Sequence, residues 1–204
     1  MSDEYTPPMA DPARELFVTV EEYLEGEKVS SVRHEYVDGR VFAMGGASLA
    51  HTRIIRNLVV LLDRASQGGP CEVLQQDMKV HPDEGSYYYP DLSVTRVEQR
   101  DPYVVTAPCL VVEVLSPSTE AVDRGEKLQR YRRLPSLEAY VLVSQDRAHV
   151  EVYRRGAGGV WTYEELFEDE ALALPCLGVT LDVGAIYDRV ELAPRTRPSP
   201  TEPA

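Results

Sequence analysis

The sequence predicts an α/β fold whose core runs helix, three strands, helix, strand, with an N-terminal helix and hairpin before it and a C-terminal hairpin after it. Three observations carry this expectation. After Ser48, apolar residues recur at helical spacing: Ile54, Ile55, Leu58, Val59, Leu61 and Leu62. Short runs rich in Val and Leu follow, among them Leu110-Val111-Val112-Glu113-Val114-Leu115, which reads as a strand buried on both faces. A segment from about Ala121 to Leu134 reads as a helix between the last two such runs.

In chain order, residues 1–15 are polar and proline-containing and are expected to form a flexible arm. Residues 16–192 are expected to form a single domain, since this length supports one sizeable core. Thr19-Val20-Glu21-Glu22 is a capping-box pattern and starts a short helix. His34 to Met44 reads as a hairpin turning at Asp38-Gly39. Gly45-Gly46-Ala47 breaks it, Ser48 caps the long helix, and Gly68-Gly69-Pro70 ends that helix. The strand-like runs are Cys71 to His81, Tyr87 to Thr95, Cys109 to Leu115 and Ala139 to Ser144. Asp146 to Tyr153 and Val160 to Tyr163 read as a terminal hairpin around Gly156-Ala157-Gly158-Gly159. Residues 193–204, rich in Pro, Arg, Ser and Thr, are expected to be a disordered tail.

Composition narrows the function classes. Hydrophobic residues make up 43% of the 204, so the chain is globular. The formal net charge of −13 argues against a general nucleic-acid coat protein, because Lys and Arg neutralising phosphates drive such binding. It leaves room for an enzyme with one local basic surface. Arg124, Lys127, Arg130, Arg132 and Arg133 face only Glu126 within one segment, although such a segment is commonly just a solvated helix face. No apolar run approaches the ~20 residues of a membrane span. The N-terminus lacks the basic-then-apolar order of a signal peptide, so a cytoplasmic protein with no membrane contact is expected. Cys71, Cys109 and Cys176 read as small core residues in a reducing compartment, and no Cys/His spacing resembles a zinc site.

Glu113 is the residue that most needs explaining. A carboxylate in a buried strand is costly to desolvate unless a metal, a lysine or a proton neutralises it. That makes it a candidate functional group, the alternative being a buried acid paired to an arginine. Asp91, after Pro90, opens another apolar segment; its plain reading is a turn residue. If the two strands are neighbours, both carboxylates can converge on one hard cation. Two carboxylates plus waters suit magnesium (or manganese), which could polarise a phosphoryl oxygen and lower the pKa of a bound water.

Several stretches together resemble a known family: Tyr36-Val37-Asp38-Gly39, His51 opening a helix, Tyr89-Pro90-Asp91-Leu92-Ser93-Val94, Pro108 through Thr119, and the Asp123, Lys127, Tyr131 series. They resemble the Uma-type endonucleases of the PD-(D/E)XK restriction-endonuclease-like superfamily, over roughly residues 17 to 155. The resemblance implies a restriction-endonuclease-like core and DNA as substrate. It implies Asp91 and Glu113 as the metal-binding acids, with the backbone carbonyl of Val114 as third protein ligand. The superfamily lysine normally lies two residues after the glutamate, where this chain has Leu115.

Lys127 is the expected substitute, since Asp123, Lys127 and Tyr131 share one helix face at i, i+4 and i+8. Its alternative is a surface ion pair with Asp123. Lys79 is the second candidate, and Gln76 beside it could face the site. The resemblance also places Glu35 and His51 near the site's edge. Glu35 could supply an extra metal ligand. In the first helical turn, protonation of His51 is disfavoured by the helix dipole, so a neutral ring could accept a proton or bind substrate; otherwise it packs on Ile55. Ser118 or Thr119 is expected to cap the next helix.

The expected function is thus a metal-dependent endonuclease with Asp91, Glu113 and Lys127 as catalytic residues. Tyr131, Glu35, His51, Gln76 and Lys79 are accessory candidates, and a homodimer suits the cutting of both strands. Two alternatives stay open: a non-catalytic binding or scaffold protein on the same fold, and a metal-dependent hydrolase of small phosphate compounds.

Overall fold

The computed structural model describes residues 17–192; the arm expected at 1–15 and the tail expected at 193–204 lie outside the described residues. Helix α1 (Val20–Val29) begins at the capping box. Thr19 Oγ1 accepts the Glu22 N–H at 3.2 Å, and Glu22 Oε2 accepts the Thr19 N–H at 2.8 Å. Strands β1 (His34–Val37) and β2 (Arg40–Ala43) pair antiparallel across a tight turn. Both turn residues are left-handed, Asp38 at φ 45° and Gly39 at φ 87°, which matches the right-handed twist of the flanking strands. A Cβ at Gly39 would also meet Phe17 Cδ1 at 2.5 Å. Helix α2 (Leu49–Ser66) is capped by Ser48, whose hydroxyl oxygen accepts the His51 N–H.

The next strands are β3 (Glu72–Gln75), β4 (Lys79–Asp83), β5 (Ser86–Tyr88), β6 (Leu92–Thr95), β7 (Val104–Val105) and β8 (Pro108–Leu115). A helical segment follows in three parts: α3 (Glu120–Val122), a π-turn over Asp123–Lys127, and α4 (Leu128–Tyr131). Then come β9 (Ala139–Ser144), β10 (His149–Arg155), β11 (Trp161–Phe167), β12 (Ala171–Leu174), β13 (Val179–Asp182) and α5 (Val183–Ile186). The six-stranded sheet has order β11-β10-β9-β8-β6-β3 and the five-stranded sheet β2-β1-β5-β4-β7. Within the former, β3, β6 and β8 pair antiparallel, while β9 runs parallel to β8. With α2 before and the α3–α4 segment between β8 and β9, this is the helix, three strands, helix, strand core that the sequence predicts.

Three features differ from the sequence expectation. The runs Cys71 to His81 and Tyr87 to Thr95 are each two strands, not one. Asp77 turns left-handed at φ 70° and sends β3 and β4 to different sheets. Pro90, which has no N–H for a ladder, separates β5 from β6. The C-terminal hairpin's second strand is Trp161–Phe167, longer than Val160 to Tyr163, and the β12–β13 hairpin and α5 beyond it have no counterpart in the expectation. Leu172, Leu174, Leu181 and Ile186 bring these elements onto the α2 side of the core. That docking also corrects the reading of the cysteines as unpaired: Cys109 and Cys176, with Cα atoms 5.9 Å apart, are joined as a disulfide, and Cys71 is free.

The alternation of β8 organises the core. Leu110, Val112 and Val114 pack with Ile54, Ile55, Leu58 and Leu62 of α2. Val111 and Leu115 pack with Leu128, Tyr131 and Tyr140 on the other face. Glu113 lies on that second face by strand periodicity, under the helical segment.

Candidate active site

Asp91 stands at the start of β6 and Glu113 in the middle of β8, which are hydrogen-bonded neighbours. Both are buried, at 8% and 4% exposure. The Asp91 N–H lies 3.3 Å from Glu113 Oε2, and Asp91 Oδ2 accepts the Val114 N–H at 2.7 Å. The two acids and the Val114 backbone therefore meet at one place, as expected from the alternation of the two strands.

Lys127 reaches them from the helix. Its ammonium lies 2.9 Å from Glu35 Oε1, 3.2 Å from Glu113 Oε1 and 3.3 Å from Asp123 Oδ1. Asp123, Lys127 and Tyr131 are all buried, so the shared helix face is the inner one and Lys127 is not a surface partner of Asp123. The π-turn carries both Asp123 and Lys127; such one-turn widenings frequently occur at functional sites. The Tyr131 hydroxyl stands 3.5 Å from Glu113 Oε1, and the Tyr140 hydroxyl donates to the Asp123 carbonyl at 3.1 Å. Leu115, where the superfamily pattern has lysine, is packed in the apolar cluster beneath this helix.

The accessory candidates divide. Glu35 enters from β1, on Lys127 and on the Tyr89 N–H at 3.3 Å. Gln76 holds Asp91 twice, its backbone N–H on the Asp91 carbonyl at 3.2 Å and its amide on Oδ1 at 3.4 Å. His51 Nε2 lies 3.3 Å from Asp91 Oδ2. Burial works against charge on this ring, but the Asp91 carboxylate outweighs it and the pKa is raised, a pull opposite to that of the helix dipole. Lys79 lies apart: its ammonium is 3.2 Å from the Tyr89 hydroxyl and over the rings of Tyr89 and Tyr103, and burial lowers its pKa. Ser118 and Thr119 give no side-chain cap to α3; their hydroxyls join that of Ser116 instead.

Asp123 is the site member whose place the sequence did not reveal. It is 1% exposed, and its Oδ1 has no hydrogen bond of good geometry although Lys127 is near. Its signals were the helical spacing and its place in the Asp123, Lys127, Tyr131 series. Arg130 is a second: it ties α4 to Asp38, Asp83 and Glu126, and so fixes the Lys127 helix against the turn that follows Glu35.

Charge is unbalanced here. Three carboxylates (Glu35, Glu113, Asp123) surround Lys127, and Asp91 lies beside Glu113 with His51 at the edge. Burial first, then Asp123, Asp91 and Glu35, push the Glu113 carboxyl well above its ordinary value against the pull of Lys127. Burial opposes the charge of Lys127, yet Glu113, Glu35 and Asp123 outweigh it and push its pKa well above the ordinary value. Among the described residues no three His, Cys, Asp or Glu side chains form a ready metal cage. The crowding of buried carboxylates and the all-oxygen donor set nonetheless fit a hard divalent cation that keeps waters of its own.

The α2–meander–helix–β9 core, with two acids on adjacent central strands, is that of the restriction-endonuclease-like class. The solved structure of "a putative nuclease belonging to DUF820" from Anabaena variabilis superposes with a TM-score of 0.70 at 17% identity, covering 84% of this chain and 98% of that one, which shows the shared fold. The Uma2 family, described as "Putative restriction endonuclease", matches residues 20–184. Two Synechocystis proteins are similar as well. "Uncharacterized protein slr1290" is 39% identical over 170 residues, 82% of this chain and 90% of that one. "Uncharacterized protein sll1609" is 33% identical over 159 residues, 76% of this chain and 90% of that one. The chain belongs to the Uma2 family. Among the described residues no helix is long and apolar enough to cross a membrane.

Proposed function

We propose that this protein is a metal-dependent endonuclease that hydrolyses phosphodiester bonds in DNA. The observation that carries the reading is the meeting of Asp91, Glu113 and Lys127 in one buried, acid-rich place. Asp91, Glu113 and the Val114 carbonyl would hold magnesium or manganese. The ion, when bound, supplies Lewis acidity toward a phosphoryl oxygen and lowers the pKa of a coordinated water.

The chain's own residues do the rest. Lys127 takes the role of the lysine missing at position 115: its ammonium donates to phosphoryl oxygens as negative charge grows in the transition state. Glu35 and Asp123 hold that ammonium in place. Gln76 and His51 fix the orientation of Asp91, as outer partners of a metal-binding carboxylate do. Tyr131 supports Glu113. Cutting both strands of a duplex calls for two such sites, so two copies are taken as the cutting unit.

The test is supercoiled plasmid incubated with magnesium, manganese or EDTA, beside the Glu113→Gln variant. Nicking with either metal, absent in EDTA and in the variant, is the expected result. Nicking unchanged in Glu113→Gln would remove Glu113 from the site. Cleavage suppressed by mononucleotides would point to small phosphate compounds. Calorimetry showing no cation bound at millimolar concentration, with no nicking, would leave a scaffold on a nuclease fold.

A further inference from the structure

We infer that the groove between α2 and β3 is a subsite for one unpaired nucleobase of the strand being cut. This rests on the nuclease reading for its context, and on the groove itself for its chemistry.

Helix α2 has a second stripe beside its core face. Thr52, Ile55, Arg56, Val59 and Val60 recur at i, i+3, i+4, i+7 and i+8, the spacing of one side of a helix. Across from them stand Gln75 and Gln76 at the end of β3, the edge strand of its sheet. Together with Ala47 they line an open groove of about 320 Å³. That is at the small end of ligand pockets and too little for a docked helix.

The lining matches a nucleotide in three respects. Val59 and Val60, over the buried Ile55, offer an apolar wall to the face of a base, and Val60 is 44% exposed with nothing over it among the described residues. The side-chain amide of Gln75 has no hydrogen bond among the described residues, and an amide can donate and accept together at a base edge. Arg56 has only Asn57 Oδ1 as partner, at 2.9 Å, and no carboxylate among the described residues. In a chain of net charge −13, a cation without an acid beside it is suited to an external anion such as phosphate.

Position supplies the link to the reaction. Gln76 lines the groove and also holds the Asp91 carboxylate through its amide. The groove therefore opens directly beside the acid proposed to hold the ion, next to where the adjoining nucleotide of a bound strand would lie. A base can occupy it only when out of a duplex stack, so the preferred substrate is single-stranded or locally unpaired DNA.

The test uses fluorescein-labelled dT10 and a base-free oligonucleotide of equal length, with calcium replacing magnesium so that binding is read without cleavage. Wild type should bind dT10 about tenfold or more tightly than the base-free strand, the scale of one or two base contacts. Val60→Glu puts a charged side chain into the groove from an exposed position, and Gln75→Ala removes the free amide. Each should bring dT10 binding down toward the base-free level while thermal melting stays that of wild type. Wild-type binding indifferent to the bases, or both variants binding dT10 as wild type does, would overturn the subsite. If both variants lose base-dependent binding but wild type never cuts with magnesium, the subsite stands and the nuclease reading falls. If cutting occurs and binding ignores these substitutions, the reverse holds.

Discussion

Lys127 lies fourteen residues beyond Glu113, yet its ammonium stands 3.2 Å from Glu113 Oε1, and Leu115 occupies the position where the superfamily pattern carries that charge. The helix over β8 delivers the cation to the acid that the strand places. If this is the working pair, Lys127→Ala should slow single-turnover plasmid cleavage by about 10²–10³ while changing metal affinity little, because the charge acts chiefly on the transition state. Lys79→Ala should cleave at nearly the wild-type rate, since Lys79 rests among Tyr89 and Tyr103. The opposite ordering of the two rates would transfer the role to β4.

Glu113→Gln should raise the melting temperature in EDTA. Burial and three neighbouring carboxylates oppose its ionised form, and the amide keeps the shape without the charge. Lys127 retains Glu35 and Asp123 as partners. Differential scanning calorimetry of both proteins checks this; a drop of several degrees in EDTA would mean that the Glu113–Lys127 pair outweighs the repulsion.

Magnesium should stabilise wild type and leave Glu113→Gln unmoved. A ligand of the folded state alone adds about 2.7 kcal/mol at one hundred times its dissociation constant, so the melting temperature should climb with metal concentration. Equal shifts in the two proteins would place the ion elsewhere.

Asp83 provides a pH test away from the site. Burial raises its carboxyl, but Ser86, Arg130 and the Gly85 N–H outweigh this and hold it below its ordinary 3.8. A carboxyl lowered in the folded state stabilises above its unfolded value, and the contribution fades as pH falls through the folded value. Asp83→Asn should therefore cost about 1–2 kcal/mol near neutrality, given charged hydrogen bonds at a partly exposed position. The gap between variant and wild type in urea midpoints should narrow steadily below about pH 4. A gap that is constant with pH would mean that packing, not charge, is what the variant loses.

Much of the site was legible in sequence because it depends on short-range geometry. Strand alternation puts Glu113 on one face of β8, helical spacing aligns Asp123, Lys127 and Tyr131, and the capping box starts α1 where hydrogen bonds confirm it. The adjacency of Asp91 and Glu113 needed only that their strands be neighbours. The strand breaks at Asp77 and Pro90 were missed because an apolar run does not say which sheet each half will join.

What the sequence by itself determined is the set of elements, the face each side chain takes, and the acids that a buried strand must neutralise. These follow from backbone sterics and the two periods of side-chain direction. Tertiary structure alone decided which partner each buried group received: Lys127 and not Lys79 at the carboxylates, His51 against the Asp91 carboxylate, Cys109 with Cys176 from the far end of the chain. The physical reason is that a buried charge or thiol is governed by what lies within a few ångströms of it, and those neighbours come from elements remote in sequence, brought together only when the two sheets and the helical layers pack.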